Sequence, residues 1–258
     1  MKGGSDLPYA RAIAESMWGS TYESALAKAQ TEQFRQLTAH FVNRYRTVDK
    51  LMAAFPTSNV LEIASGLSFR SLDQCLKDPS ISYFDTDLED MIATKLDVLR
   101  QIHISTKPEG LRIEALNALS STDFSKLCST IPEGGLTVVQ EGLLVYLDEK
   151  EKAVLAQNIR NELVRRGGQW ICGDVYVRRD SEDIFGIMLR SYKSRAFHRK
   201  HQIEEKKFES FENAEQFFTD QGFEIVGREF NAMSGDPAAV ARIAKHHARE
   251  TWALRVRS

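Results

Sequence analysis

The sequence predicts an α/β fold on a mostly parallel, doubly wound sheet of seven strands, and three observations carry that expectation. From residue 59 onward, short apolar runs alternate with helix-patterned segments, the rhythm of a parallel sheet covered on both faces. The stretch Val60-Leu-Glu-Ile-Ala-Ser-Gly-Leu-Ser-Phe-Arg70 is a strand that ends in small residues and runs into a helix. At 258 residues, the chain is long enough for one such domain, residues 1–258, with a sizeable core and modest additions.

The elements follow in order. Residues from about Leu7 to Phe55 read as helices throughout, a cap over residues 1–56. Ser24-Ala-Leu-Ala-Lys-Ala-Gln30 is rich in helix formers, and Phe41, Tyr45, Val48, Leu51 and Met52 recur at helical spacing. Pro56-Thr-Ser-Asn59 stops this region with a turn. Strands are expected at Asn59–Ile63, Ile81–Asp85, Leu111–Ala115, Leu136–Gln140, Gln169–Val177, Phe223–Phe230 and Thr251–Val256. Helices fall between them at Ser68–Lys77, Leu88–Gln101, Ser121–Cys128, Glu149–Arg166 and Asn213–Gln221. Asp148-Glu-Lys-Glu151 makes an acidic first turn and Gly167-Gly168 a stop for the helix they bound. The long, charged and aromatic segment Glu182–Glu212 breaks the rhythm and reads as a helical insertion.

Composition excludes several classes. Apolar residues make up 42% and charged residues 27% of the chain, the balance of a soluble globular protein. A net charge of −2 predicts no nucleic-acid partner and no membrane surface. No apolar run reaches the roughly 18–20 residues of a membrane span, and the first residues do not resemble a signal peptide. Cys75, Cys128 and Cys172 are far apart and form no C-x-x-C pair, which argues against a disulfide framework or zinc cluster. A cytoplasmic location is the expectation.

Ligands of open α/β sheets bind beyond the carboxyl ends of the central strands. Gly66 ends the first strand, Asp87 follows the second, Asn117 the third and Glu141 the fourth. A strand, a small-residue turn, a helix and a second strand ending in acid suit a nucleoside, whose ribose hydroxyls would donate to Asp87. One glycine where a dinucleotide fingerprint has three argues against a pyrophosphate. S-adenosyl-L-methionine is therefore the leading cofactor. The Asn117 amide could serve the adenine edge, and Glu141 could face the methionine ammonium or the sulfonium neighbourhood. Taken singly, each residue has a plainer reading: a turn glycine, a helix-capping acid, a turn amide. Their joint spacing raises the binding reading above these.

Further motifs carry a resemblance. Arg44-Tyr-Arg46-Thr-Val-Asp49, Glu62-Ile-Ala-Ser-Gly66, Thr86-Asp87-Leu88, Asn117-Ala118 and Glu141-Gly-Leu-Leu-Val-Tyr146-Leu147 are similar to segments of the leucine carboxyl methyltransferase family and its bacterial polyketide-type O-methyltransferase relatives. The resemblance covers most of the chain from Leu7 to Val177, and the Glu141–Leu147 match is its most specific part. It implies a Rossmann-like methyltransferase sheet whose last strand is inserted antiparallel. It also implies that Arg44 pairs with the methionine carboxylate, a task suited to a planar guanidinium. Two positions depart from the family pattern. Ala64 replaces the first turn glycine, and Asn117 replaces the aspartate of an Asp-Leu pair.

The expected cofactor-binding set is thus Arg44, Ala64, Gly66, Asp87, Asn117, Ala118 and Glu141. The expected activity is methyl transfer to a carboxylate or hydroxyl of a small molecule or peptide end. The alternative is a non-catalytic module that binds a nucleoside ligand or a partner on the same fold. No residue is named as a general base; Tyr9 and Tyr146 are expected in the pocket wall. His198-x-x-His201 and His246-His247 lack further ligands at metal spacing, and no metal is expected. The N-terminal helices and the insertion, with its basic stretch from Arg190 to His201, are expected to roof the acceptor site.

Overall fold

The computed structural model describes residues 7, 9–24, 32–103, 107–178, 199–230 and 249–257, excluding the side chains of residues 32–37. Helix α1 (Ala10–Trp18) and the long α2 (Glu32–Ala54) precede the sheet. The order is then β1 (Asn59–Ile63), α3 (Arg70–Lys77), β2 (Ser82–Asp87), α4 (Glu89–Gln101), β3 (Leu111–Ala115), α5 (Ser121–Cys128) and β4 (Leu136–Gln140). After these come α6 (Glu149–Arg166), β5 (Gly168–Tyr176), α7 (Ile203–Lys206), α8 (Phe211–Asp220), β6 (Phe223–Phe230) and β7 (Arg249–Val256).

The seven strands pair in the order β3-β2-β1-β4-β5-β7-β6. Strands β1 to β5 are parallel, and β7 lies antiparallel between β5 and β6. Strand order reverses between β1 and β4, so their carboxyl ends open onto the crevice where such sheets take ligands.

Alternation along each strand builds two apolar layers, because successive side chains point to opposite faces. Leu61, Ile63, Phe84, Val138, Trp170, Trp252 and Leu254 pack on one face with Phe124 of α5, Leu155 and Ile159 of α6 and Phe218 of α8. Val60, Tyr83, Val139, Ile171 and Ala253 pack on the other with Ile13 of α1, Val48 and Leu51 of α2 and Leu72 of α3.

Four expected strands and two expected helices coincide with the observed bounds; the others shift by one to two residues. Strand β2 runs on to Asp87. Its acids stay in the strand because Asp85 is neutralised by the fully buried Lys95 at 2.5 Å, while Thr86 Oγ1 donates to the Glu62 carbonyl. Helix α8 starts two residues early, at Phe211, where the Ser210 side chain accepts from Asn213 N. Of the segment 182–212, residues 182–198 lie outside the described residues, as does most of Ser24–Gln30. The described remainder of that segment contains α7.

Candidate functional site

The turn after β1 is held from beneath. Ser65 Oγ donates to Asp85 Oδ1 at 2.5 Å, Ser71 Oγ donates to Asp85 Oδ2 at 2.5 Å, and Lys95 Nζ donates to Ser65 Oγ at 2.8 Å. Ala64 sits at φ +51° and Gly66 at φ +53°, the left-handed region that a Cβ disfavours. A Cβ on Gly66 would meet open space, so the bare face of the turn is free for a ligand. Asp87 Oδ2 accepts from Gly66 N at 2.7 Å and Oδ1 from Leu88 N at 2.7 Å. The carboxylate therefore ties the β1 turn to the end of β2, and each oxygen retains a further acceptor position.

A cavity of about 700 Å³ opens beside this turn, within the roughly 300–1,000 Å³ range of small-molecule sites. Arg44, Tyr45, Ala64, Gly66, Asp87, Glu141 and Tyr176 are among its lining residues. Five of the seven residues expected from the sequence therefore converge there: Arg44, Ala64, Gly66, Asp87 and Glu141. Asn117 and Ala118 stand off the lining, at the end of β3. The Asn117 side chain is exposed, with Oδ1 accepting from Leu119 N at 3.1 Å, the turn role of an Asn. The Ala118 carbonyl accepts from Asn158 Nδ2 at 2.9 Å. Tyr146 lines the cavity, whereas Tyr9 packs edge-on against Phe69 at 6.2 Å.

The cavity wall is part of a charge network in which sequence reading named Arg44 and Glu141 but missed Arg70, Glu62, Asp49 and Tyr176. Arg44 Nε donates to Glu141 Oε1 at 2.8 Å, and Arg44 Nη1 to Tyr176 Oη at 2.6 Å. Glu141 Oε2 accepts at 2.7 Å from Arg70 Nη2. Arg70, fully buried at the start of α3, also donates from Nε to Asp49 at 2.8 Å and from Nη1 to Glu62 at 2.6 Å. Its guanidinium lies 3.9 Å from the Tyr45 ring centroid. The available signal was Glu62, an acid inside the apolar strand Asn59–Ile63, since a buried carboxylate demands a cationic partner.

Burial would raise the Glu141 carboxyl, but Arg44 and Arg70 outweigh it and hold it below its ordinary value. Burial would lower Arg44; Tyr176 and Glu141 reverse this and raise it. Glu62 stays raised by burial despite Arg70. Behind Tyr176, His40 Nε2 lies 3.2 Å from the phenol oxygen. Burial, then Arg249 and Arg44, push His40 down to about 2.

The donor set fits S-adenosylmethionine. Asp87 can accept from a ribose diol beside an open glycine turn. Among the described residues, Arg44 Nη2 carries no hydrogen bond and is available to a carboxylate. The described residues contain no group of three or more potential metal ligands, and no described helix is long and apolar enough to cross a membrane.

Comparisons with known proteins bear on the fold and the family. The chain superimposes on the pyocyanin biosynthetic protein PhzM with TM-score 0.52 and 14% identity, over 97% of this chain and 68% of that one. Magnesium protoporphyrin IX methyltransferase (ChlM) from Synechocystis PCC 6803, with bound SAH, gives 0.51 and 11%, over 96% and 100%. The S-adenosylmethionine-dependent methyltransferase SibL gives 0.51 and 13%, over 86% of this chain and 58% of SibL. The chain thus spans less than two thirds of SibL, and likeness at such identity establishes the fold alone. No curated protein sequence matches the chain. The leucine carboxyl methyltransferase family model matches residues 7–160, more than half of the molecule, and includes Arg44, the β1 turn, Asp87 and the Glu141–Leu147 segment. The chain belongs to the leucine carboxyl methyltransferase family, a family of S-adenosylmethionine-dependent methyltransferases.

Proposed function

We propose that this chain is an S-adenosylmethionine-dependent O-methyltransferase whose acceptor is a carboxylate or hydroxyl of a small molecule or peptide end, with a carboxylate favoured. The observation that carries the reading is the convergence of Arg44, Gly66, Asp87 and Glu141, from four separate segments, on one cavity at the switch point of the sheet. When bound, the cofactor supplies a methyl group on an already activated sulfonium carbon.

The chain's own residues bind, align and exclude water. Asp87 accepts from the ribose hydroxyls, and the Ala64–Gly66 turn admits the nucleoside close to the backbone. Glu141 fixes one edge of Arg44 so that Nη2 faces the cofactor carboxylate. Asp87 is in register with Ala115 of β3, and we place the adenine edge toward Asn117 and Ala118, beyond that level. Helix α2 supplies Phe41, Arg44 and Tyr45 to the wall and the segment around α7 supplies Ile203. Both expected roof regions thus supply lining residues, and their closing over a bound cofactor would exclude water.

The carboxylate preference rests on proton chemistry. Glu141 is lowered, Tyr45, Tyr146 and Tyr176 are all raised by burial, and His40 is driven to about 2. None of these is poised near neutrality as a general base should be. A carboxylate acceptor is ionised before it binds and needs no base. We place the protein in the cytoplasm, a reading supported by three free, buried cysteines.

Calorimetric titration tests the cofactor. S-adenosylhomocysteine should bind and NAD should not. Arg44→Lys keeps the charge but loses the planar fork, so it should weaken binding. Arg46→Lys, at an exposed position two residues along α2, should leave binding unchanged. The reverse pattern would remove Arg44 from the cofactor site. Release of S-adenosylhomocysteine from acceptor mixtures then tests transfer, with carboxylic acids expected to respond first. Response only to alcohols would defeat the acceptor assignment.

A further inference from the structure

Ala64 is the strained point of the site. It holds φ +51° beside Gly66 at +53°, an angle that a glycine adopts readily and an alanine resists. Its neighbour Ser65 has the contacts to hold it there. The buried Ser65 donates through Oγ to Asp85 Oδ1 at 2.5 Å, accepts there from Lys95 Nζ at 2.8 Å, and donates its backbone N–H to the Thr86 carbonyl at 3.0 Å. Asp85 and Lys95 are themselves fully buried and pair with each other at 2.5 Å. Both side-chain bonds of Ser65 thus end on groups anchored in β2 and α4, beneath a turn whose residues Ala64, Ser65 and Gly66 all line the cavity.

We propose that Ser65 is a positioning residue that latches the Ala64–Gly66 turn in its left-handed form, so that the cofactor meets a preformed turn, an inference that rests on the cofactor reading above. The hydroxyl acts through the backbone, because its one proton goes to Asp85 and not into the cavity. Removing it leaves the ion pair beneath intact: Asp85 keeps Lys95 on Oδ1 and Ser71 Oγ on Oδ2. Ser65→Ala therefore releases the turn without stranding a buried charge. The strain at Ala64 then drives the turn toward other angles, and a protein whose binding-competent form is only partly populated binds more weakly by that fraction.

Ser65→Ala should lower the affinity for S-adenosylhomocysteine roughly 3- to 10-fold, the range expected when about one net hydrogen bond no longer opposes the strain. In an Ala64→Gly background no Cβ resists the left-handed angle, and the same change should cost less than about 2-fold. Amide hydrogen exchange over residues 64–68 of the ligand-free protein should follow the same pattern. It should quicken in Ser65→Ala and return toward the parent's rate in the double variant. Equal affinity losses in the two backgrounds overturn the proposal, since Ser65 would then act on the ligand independently of Ala64. A Ser65→Ala variant with the parent's affinity and exchange overturns it as well. A parent protein that fails to bind S-adenosylhomocysteine sinks the cofactor reading instead, and the exchange comparison still decides whether Ser65 holds the turn.

Discussion

At the scale of single residues, the cavity lining was legible where chemistry sits at strand ends. Gly66, Asp87 and Glu141 each follow an apolar run, and the topology of parallel sheets places such residues together. Arg70 was not legible, because its role depends on acids from three separated segments meeting one guanidinium. Asn117 stands off the cavity lining: its Oδ1 accepts from Leu119 N in its own turn, which leaves the amide NH2 as the group that could serve an adenine edge. Ala64 carries a cost the sequence did show as a departure. Its left-handed φ of +51° costs an L-residue about 1–2 kcal/mol, while a glycine there would add about 0.4–1 kcal/mol of unfolded-state entropy. Ala64→Gly should therefore be neutral to stabilising by about 1 kcal/mol, a rise of about 2–4 °C in melting temperature at this chain length. It should also bind S-adenosylhomocysteine at least as tightly, because the methyl leaves the turn. A destabilised Ala64→Gly would show that the methyl makes contacts worth more than the strain.

At the scale of elements, boundaries followed local chemistry wherever a cap or breaker was present. Helix α6 begins and ends where the sequence placed it. Asp148 accepts from Glu151 N, Glu151 accepts from Asp148 N, and Gly167 closes the helix at φ +69°. This reciprocal box satisfies two of the N–H groups that the first turn leaves without partners. Asp148→Ala should cost about 1 kcal/mol in urea unfolding, with no change in ligand affinity, since α6 does not line the cavity. A variant as stable as the parent would mean that the box adds nothing to the packing of α6 on the sheet. Elements governed by distant partners were read less well. Strand β2 extends through two acids because Lys95 pairs with Asp85 and the Gly66 N–H donates to Asp87, and no local pattern in residues 81–87 reveals either partner. Similarly, β7 starts at Arg249, where the charged pair Arg249-Glu250 reads as a loop but is buried in the sheet.

At the scale of the molecule, Arg70 joins parts that sequence order keeps apart. Its three carboxylates come from α2 (Asp49), β1 (Glu62) and the end of β4 (Glu141), so one side chain fastens the N-terminal helix to the sheet beneath the cavity. Removing one member of a buried ionic cluster strands the others, at a cost of about 3–5 kcal/mol, a large part of the roughly 5–15 kcal/mol that holds a domain folded. Arg70→Met should show a loss of that order. Its pH dependence separates stranded charge from lost packing. Burial already raises Glu62 and Asp49 above their ordinary values of 4.5 and 3.8, and Arg70 is the charge that opposes the rise. Without it both folded-state pKa values climb further. Between the unfolded values near 4 and these higher folded values, the folded state holds protons that the unfolded state has released, so stability falls as pH rises. The deficit of Arg70→Met relative to the parent should thus be smaller at pH 5 than at pH 8 in urea unfolding. A deficit equal at both values would mean that the methylene stem and its stacking on Tyr45, rather than the charge, bind the helix to the sheet.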